Sequence, residues 1–342
     1  MSTKEKKYLD RWDALVETFR SFGGIANNVI QKEGALGLGL FPIDSSQPVE
    51  LRVPDYLLVA TNNLELRNGA VTIKDASLYP EGFREWYEGF QADYSWGAEA
   101  RHSIKSFENG LRSFSDSLKQ KLKNIHLLDI EKRCPGINEE QELFGRFIAT
   151  RRINYRGENV LMPMIELVNH SPTQSSWTLD KDSIAIQGQY DGEILVRYSA
   201  SDPLRRYLQY GFNCKETLGF SLGMKLKHRG QEIFIEGGIN FEPMKLISTT
   251  QKDQKIILTK PLLSSYNRPR MPKKLFRDSC KALEGINSDE LFEQIHQKNR
   301  LILISLIKSL GSNNTIAENG LKKCFLDQID ILGHYYGVKN AD

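Results

Sequence analysis

The sequence predicts an α+β chain in which short strands are interrupted by a helical insert and followed by a mainly helical C-terminal part. Three observations carry that prediction. Short apolar runs that read as strands fill Ile30 to Ile73, where Val49, Leu51 and Val53 alternate with polar residues, and again much of Val160 to Phe212. Apolar residues at helical spacing fill much of the interval 76–140. Beyond Leu275 the apolar residues fall in long helical stretches.

Taken in order, the chain opens with Leu9, Trp12, Leu15, Val16, Phe19 and Phe22 on one helical face, and Gly23-Gly24 stops it. The spacing predicts an N-terminal helix within residues 1–23. Val49, Leu51 and Val53 alternate as a strand, and Tyr56 to Val59 and Leu64 to Val71 read as further strands. Phe107, Leu111, Phe114, Leu118 and Leu122 share one helical stripe, and Leu143, Phe144, Phe147 and Ile148 lead a second helix into Arg151. Strands resume at Val160 to Met164, Ser183 to Ile186 and Ile194 to Tyr198, with a helix over Pro203 to Tyr210. More strands are expected at Glu232 to Ile235, Met244 to Ser248 and Lys255 to Thr259. The basic, proline-punctuated stretch Asn267 to Lys274 reads as a linker. Leu291 to Leu310, apolar almost all round, predicts a buried helix, and Leu321 to Tyr336 a final one. The expected domains are 24–222, carrying the insert at about 76–140, and 223–342.

With 342 residues the chain can hold two or three such units, since domains usually run to about 100–200 residues. Forty-six basic residues against 43 acidic ones leave a charge of +3, too balanced for the counterion-release affinity of duplex binding, so no nucleic-acid partner is expected. Cys134, Cys214, Cys280 and Cys324 show no C-x-x-C spacing, which predicts no metal site, no disulfide framework and a reducing compartment. Met1 to Lys7 is polar, with no apolar run behind it, and Leu301 to Ile307 falls far short of the roughly 20 residues that cross a bilayer. A soluble cytoplasmic protein with no membrane partner is the expectation.

Two stretches stand out. Gly34-Ala35-Leu36-Gly37-Leu38-Gly39 lets backbone approach a ligand without Cβ atoms in the way. It fails as a dinucleotide fingerprint, because Pro42 stands where the third glycine belongs and a strand follows where a helix should open. Alone, it reads as a tight turn. The second stretch is Pro163-Met164-Ile165-Glu166-Leu167-Val168-Asn169-His170-Ser171, a buried strand and turn ending in two polar residues. His170 alone reads as a hydrogen-bonded core histidine, and the sequon formed with Ser171 is accidental without a secretory signal.

Together these stretches resemble the SET-domain methyltransferases. Gly37 to Phe41 followed by Val49 to Pro54 resembles the family's opening glycine turn and strand, and Pro163 to His170 resembles its paired Asn-His motif. The resemblance is closest to the branch of Rubisco large-subunit lysine methyltransferases and actin-histidine methyltransferases. It implies that the backbone of Gly34, Ala35 and Leu36 contacts S-adenosylmethionine. Asn169 offers both a donor and an acceptor to the cofactor's zwitterionic end. With them stand His170 and Arg151, whose guanidinium can take a carboxylate through two parallel bonds. Tyr198, which ends a strand before the Gly211-Phe212 pair, falls at the catalytic tyrosine, and Ile153 and Tyr210 fall along the substrate channel.

Some positions depart from the pattern. Relatives often carry Glu at Gly34, commonly Asp at Glu166, and Gly and Asn at Ser199 and Asp202, so that Asp202 brings a negative charge toward the cofactor. Ile153 stands near where the actin-histidine enzymes carry a substrate-selecting Asn, which argues against a histidine acceptor. The resemblance implies an S-adenosylmethionine-dependent N-methyltransferase acting on a protein or peptide, with a protein lysine as acceptor and Leu275 to Tyr336 helping to dock it. The alternatives are a small amine or peptide acceptor, or a non-catalytic binding module on the same fold.

Overall fold

A computed structural model describes residues 3–133, 136, 138–239, 249–252, 255–311 and 315–339. Helix α1 (Thr3–Ser21) turns Trp12, Val16 and Phe19 inward, and the Trp12 indole donates to the Val29 carbonyl at 2.9 Å. Short strands follow: β1 (Ile25–Asn27), β2 (Val29–Gly34), β3 (Gly37–Pro42), β4 (Val49–Pro54), β5 (Val59–Ala60), β6 (Leu64–Arg67) and β7 (Ala70–Ile73). The insert holds α2 (Phe83–Tyr94), a π turn at Trp96–Ala100, α3 (Arg101–Arg112), α4 (Asp116–Asn124), α5 (Ile130–Arg133) and α6 (Glu139–Arg151). Then come β8 (Ile153–Tyr155), β9 (Glu158–Leu161), β10 (Asn169–His170), β11 (Thr178–Leu179), β12 (Ser183–Gly188), β13 (Leu195–Val196) and α7 (Pro203–Tyr210). The chain continues through β14 (Leu218–Phe220), β15 (Met224–His228), β16 (Gln231–Ile235), β17 (Thr249–Lys252), β18 (Lys255–Leu258) and β19 (Leu262–Ser265). Helices α8 (Met271–Cys280), α9 (Ser288–Ile307) and α10 (Ile316–Lys339) close it.

The class is α+β. Residues 1–105 with 136–198 form one compact unit, and 106–135 with 199–342 form a second. This division falls elsewhere than the expected limits at 23 and 222, for reasons of packing. The apolar face of α1 is buried in the first unit's core beside Leu40, Leu51 and Phe147. In the second unit, Leu118 and Leu122 of the insert share a core with Leu204 and Leu208 of α7.

In the first unit β4 is the centre of a four-stranded sheet ordered β1-β4-β12-β11, all antiparallel. Val49, Leu51 and Val53 are its inward residues, as the alternation predicts. In the second unit a four-stranded sheet runs β15-β16-β18-β17.

Several local expectations are corrected. Tyr56 to Val59 begins in a 3-10 turn, Asp55–Leu57, closed by the Leu58 N–H donating to the Asp55 carbonyl at 3.1 Å, ahead of the two-residue β5. The stripe Phe107 to Leu122 spans two helices: Ser115 turns extended and its hydroxyl caps α4 by accepting from the Leu118 N–H. The supposed linker starts α8, since Pro272 lies in the first turn, where a missing N–H costs nothing. After residue 223 the strands β16 and β18 lie where strands were expected, at Glu232 to Ile235 and Lys255 to Thr259, while β15, β17 and β19 were not anticipated. Helix α9 is buried on one side only, leaving Leu301 67% and Ile304 40% exposed. The expected strand Met244 to Ser248, and Cys134, lie outside the described residues. No described helix is long and apolar enough to cross a membrane.

Candidate functional site

The glycine stretch is a β-hairpin. Gly34 pairs with Gly37 across β2 and β3, so Ala35 and Leu36 form its two-residue tip, and Gly37 sits at φ +90°. Leu36 is half exposed. A Cβ on Gly39 would overlap a carboxylate oxygen of Glu193 and meet Asn169 Nδ2 at 2.8 Å; one on Gly34 would meet the Phe41 ring at 2.7 Å and Glu193 Oε2 at 3.1 Å. These two glycines thus make room for the protein's own Asn169 and Glu193. Asn169 Nδ2 donates to the Leu38 carbonyl at 3.1 Å and to Glu193 Oε1 at 2.6 Å, while the Ile194 N–H, donating to the Leu40 carbonyl at 2.7 Å, pins the turn that carries Glu193.

Strand β10 lies parallel to β13, pairing Asn169 with Leu195 and His170 with Val196. Successive side chains of a strand point to opposite faces. Asn169 accordingly meets the glycine hairpin, whereas His170 turns to Tyr198. The Tyr198 N–H donates to His170 Nδ1 at 3.1 Å, and the two rings lie 5.0 Å apart. A nitrogen that accepts an N–H bond carries no proton, so neutral His170 holds its proton on Nε2. The Tyr198 hydroxyl donates to the Val168 carbonyl at 2.6 Å, and Trp177 lies 6.4 Å from its ring. With its proton committed in this way, the phenol oxygen acts toward other groups as an acceptor.

Arg151 is the last residue of α6; its guanidinium stacks over the Phe147 ring at 4.5 Å, and Nη1 donates to Thr150 Oγ1 at 3.2 Å. Glu166 is placed by an unusual backbone. The Ile165 N–H donates to the Pro163 carbonyl at 2.8 Å across Met164, which is held at φ +68° and ψ −51°, the strained hand of a γ-turn. From there Glu166 Oε1 accepts from Gln91 Nε2 at 2.9 Å and Ser95 Oγ at 2.6 Å. Burial pushes its carboxyl above the ordinary value, and the Arg151 charge and these two bonds pull it partly back.

Ile153 sits in β8 opposite Val160, partly buried against the first unit's core. Tyr210 belongs to the second unit, at the end of α7 before the left-handed Gly211; it lies 5.9 Å from Phe212 and stacks with Arg206 at 5.1 Å. Asp202, read from the sequence as a negative charge toward the cofactor, has that charge paired within the second unit. Its fully buried carboxylate caps α7 by accepting from the Arg205 N–H at 2.8 Å and pairs with the Arg205 guanidinium. That guanidinium also donates to the Ser221 and Gly238 carbonyls, at 2.7 and 3.0 Å. Ser199 contributes its carbonyl to Arg206 at 2.8 Å.

Sequence reasoning missed Glu193, Gln91 and Ser95. For Glu193 a signal was present: a carboxylate just after Asp191-Gly192 and just before a strand whose end, Tyr198, was already singled out. Gln91 and Ser95 gave none, because they reach Glu166 only through the packing of α2.

No protein-family model matches the chain, and no curated protein matches it. Among solved structures, the chain is similar to the SET domain of LSMT bound to lysine and AdoHcy, with a TM-score of 0.40 and 14% identity over 95% of this chain and 91% of that one. It is also similar to Rubisco LSMT bound to AdoMet, with a TM-score of 0.43 and 13% identity over the same shares of the two chains.

Proposed function

We propose that the chain is a SET-domain methyltransferase that moves a methyl group from S-adenosylmethionine to a nitrogen nucleophile, with a protein lysine as the acceptor. One observation carries the reading: Asn169 and His170, adjacent on β10, join a glycine hairpin on one side to Tyr198 on the other. A donor site and an acceptor-orienting phenol are thereby built from one dipeptide.

The residues fit the donor. Arg151, at a helix end and stacked on Phe147, suits a carboxylate; Asn169 suits an amino-acid head group; and the backbone at Gly34, Ala35 and Leu36 forms a narrow hairpin edge. When bound, S-adenosylmethionine supplies a sulfonium methyl that is already electrophilic, so the protein's task is alignment, an effect that can supply roughly 7–11 kcal/mol. The phenol oxygen of Tyr198, held by the Val168 carbonyl, accepts an N–H of the incoming amine and directs its lone pair. The same oxygen is suited to weak CH···O contact with a polarised methyl. Nitrogen gains the methyl and sulfur keeps the bonding pair. The amine gives up its proton to water beforehand, favoured by desolvation and a neighbouring positive charge. Apolar Ile153 offers an imidazole no hydrogen bond, which supports lysine over histidine.

The test is calorimetric titration with S-adenosylmethionine, followed by transfer of a labelled methyl to a fractionated proteome, for wild type and Tyr198→Phe. The expected variant binds the donor within about threefold of wild type and transfers about 100-fold more slowly. No binding by wild type, or unimpaired transfer by the variant, overturns the reading.

A further inference from the structure

We propose that Glu193 is a positioning residue that sets which face of Asn169 a ligand meets, and so makes Asn169 a reader of ammonium groups. The inference rests on the S-adenosylmethionine reading of the site. A side-chain amide has two faces, an NH2 that donates and an oxygen that accepts, and by sequence alone Asn169 could serve either end of an amino acid. The structure removes that freedom. Leu38 offers Asn169 a backbone carbonyl and Glu193 a carboxylate, and both only accept. The NH2 must therefore face them, at 3.1 and 2.6 Å, with both of its protons committed inside the protein. What remains to be presented is Oδ1, an acceptor. An acceptor recognises an ammonium and repels a carboxylate, so the carboxylate end falls to Arg151.

Of the two partners, the Leu38 carbonyl belongs to the hairpin whatever occupies position 193. Glu193 is the replaceable one, and the fold is arranged around it. Gly39 and Gly34 are the positions where a Cβ would meet its carboxylate, and the Ile194 N–H bond to Leu40 fixes the backbone just after it. Without an acceptor at 193 the amide can turn over, because its oxygen no longer faces a carboxylate. The Leu38 carbonyl alone then holds the NH2 inward, and the NH2 points outward more often than in wild type.

The experiment measures affinity for S-adenosylhomocysteine and for its desamino counterpart, in which hydrogen replaces the ammonium, by calorimetry on the full chain. Wild type is expected to prefer the amine-bearing ligand. In Glu193→Ala this preference falls about tenfold, a charge-assisted hydrogen bond's worth, while affinity for the desamino ligand stays within about threefold. Glu193→Gln, whose carbonyl can still accept from Asn169, keeps the preference within about threefold of wild type. An equal loss for both ligands in Glu193→Ala marks a merely structural role and overturns the proposal, as does an unchanged preference. A loss in Glu193→Gln as deep as in Glu193→Ala assigns the effect to the charge itself and also overturns it. If wild type binds neither ligand, the methyltransferase reading falls first; binding with the preference intact in both variants sinks only the role of Glu193.

Discussion

The backbone N–H of Tyr198 donates to Nδ1 of His170 at 3.1 Å, so the imidazole fixes where the chain leaves β13 and, through it, where the phenol stands. His170→Ala removes that acceptor from a residue only 4% exposed. The orphaned N–H and the lost packing are expected to lower stability by about 1–3 kcal/mol. If Tyr198 works by alignment, methyl transfer falls about 100-fold, since a displacement on the order of 1 Å is enough for that. Denaturant melts and single-turnover transfer measure the two effects, and transfer unchanged in a folded variant removes His170 from the positioning of Tyr198.

Glu166 gives stability a pH dependence of definite sign. Burial first, with the Arg151 charge and two hydrogen bonds opposing it, leaves the carboxyl above its ordinary 4.5. The folded chain then holds this proton more tightly than the unfolded chain does. The stability Glu166 contributes is complete below the ordinary value and is lost as pH rises through the folded-state value. Glu166→Gln has no proton to lose. Wild type should therefore lose stability relative to the variant as pH rises above the ordinary value of 4.5, in urea melts at several pH values. A gap that moves in favour of wild type as pH rises contradicts the raised value.

How much of this was legible in the sequence depends on how local each cause is. Helix α7 was read within its bounds because Pro203 and Gly211 mark its ends and act within one turn. The alternation of β4 was equally plain, since half of it is buried and half is not. The hairpin at Gly34 to Gly39 was found as a turn, but the crowding of Gly39 by Glu193 and Asn169 was not read from the sequence. Those contacts join distant segments and leave no local periodicity. Leu118 and Leu122 were read as part of the insert, yet they sit in the second unit's core, and a helical stripe says that a face is buried without saying against what. For the same reason Leu275 to Tyr336 cannot be deleted as a simple docking segment, because Phe276, Phe292 and Phe325 lie in that core.

The crowding at Gly39 can be tested by adding one methyl group. A Cβ there overlaps a Glu193 oxygen and meets Asn169 Nδ2 at 2.8 Å, both in a partly buried setting. Gly39→Ala should cost about 1–3 kcal/mol through overpacking. Adding Glu193→Ala removes the nearer clash, so the double variant should recover part of that loss. A double-mutant cycle reads the coupling between the two sites. Strict additivity would mean that the hairpin shifts to accept the methyl and that Glu193 does not limit it.

Asp202 separates a charge that serves the fold from one that serves chemistry. Its side chain and that of Arg205 are both fully buried, and the carboxylate divides itself between the Arg205 N–H at the start of α7 and the Arg205 guanidinium. Asp202→Asn is nearly isosteric and keeps a good N-cap, so the start of α7 should survive. The guanidinium, however, retains only the Ser221 and Gly238 carbonyls and is left as an uncompensated buried charge. Breaking one side of such a pair costs about 3–5 kcal/mol. The variant should lose that much in denaturant melts, whereas Asp202→Asn combined with Arg205→Met should be more stable than Asp202→Asn alone, because the stranded charge is gone. If Asp202→Asn is neutral, the pair is not the reason for an acid at this position, and the departure from the resembling family must be traced to the site itself.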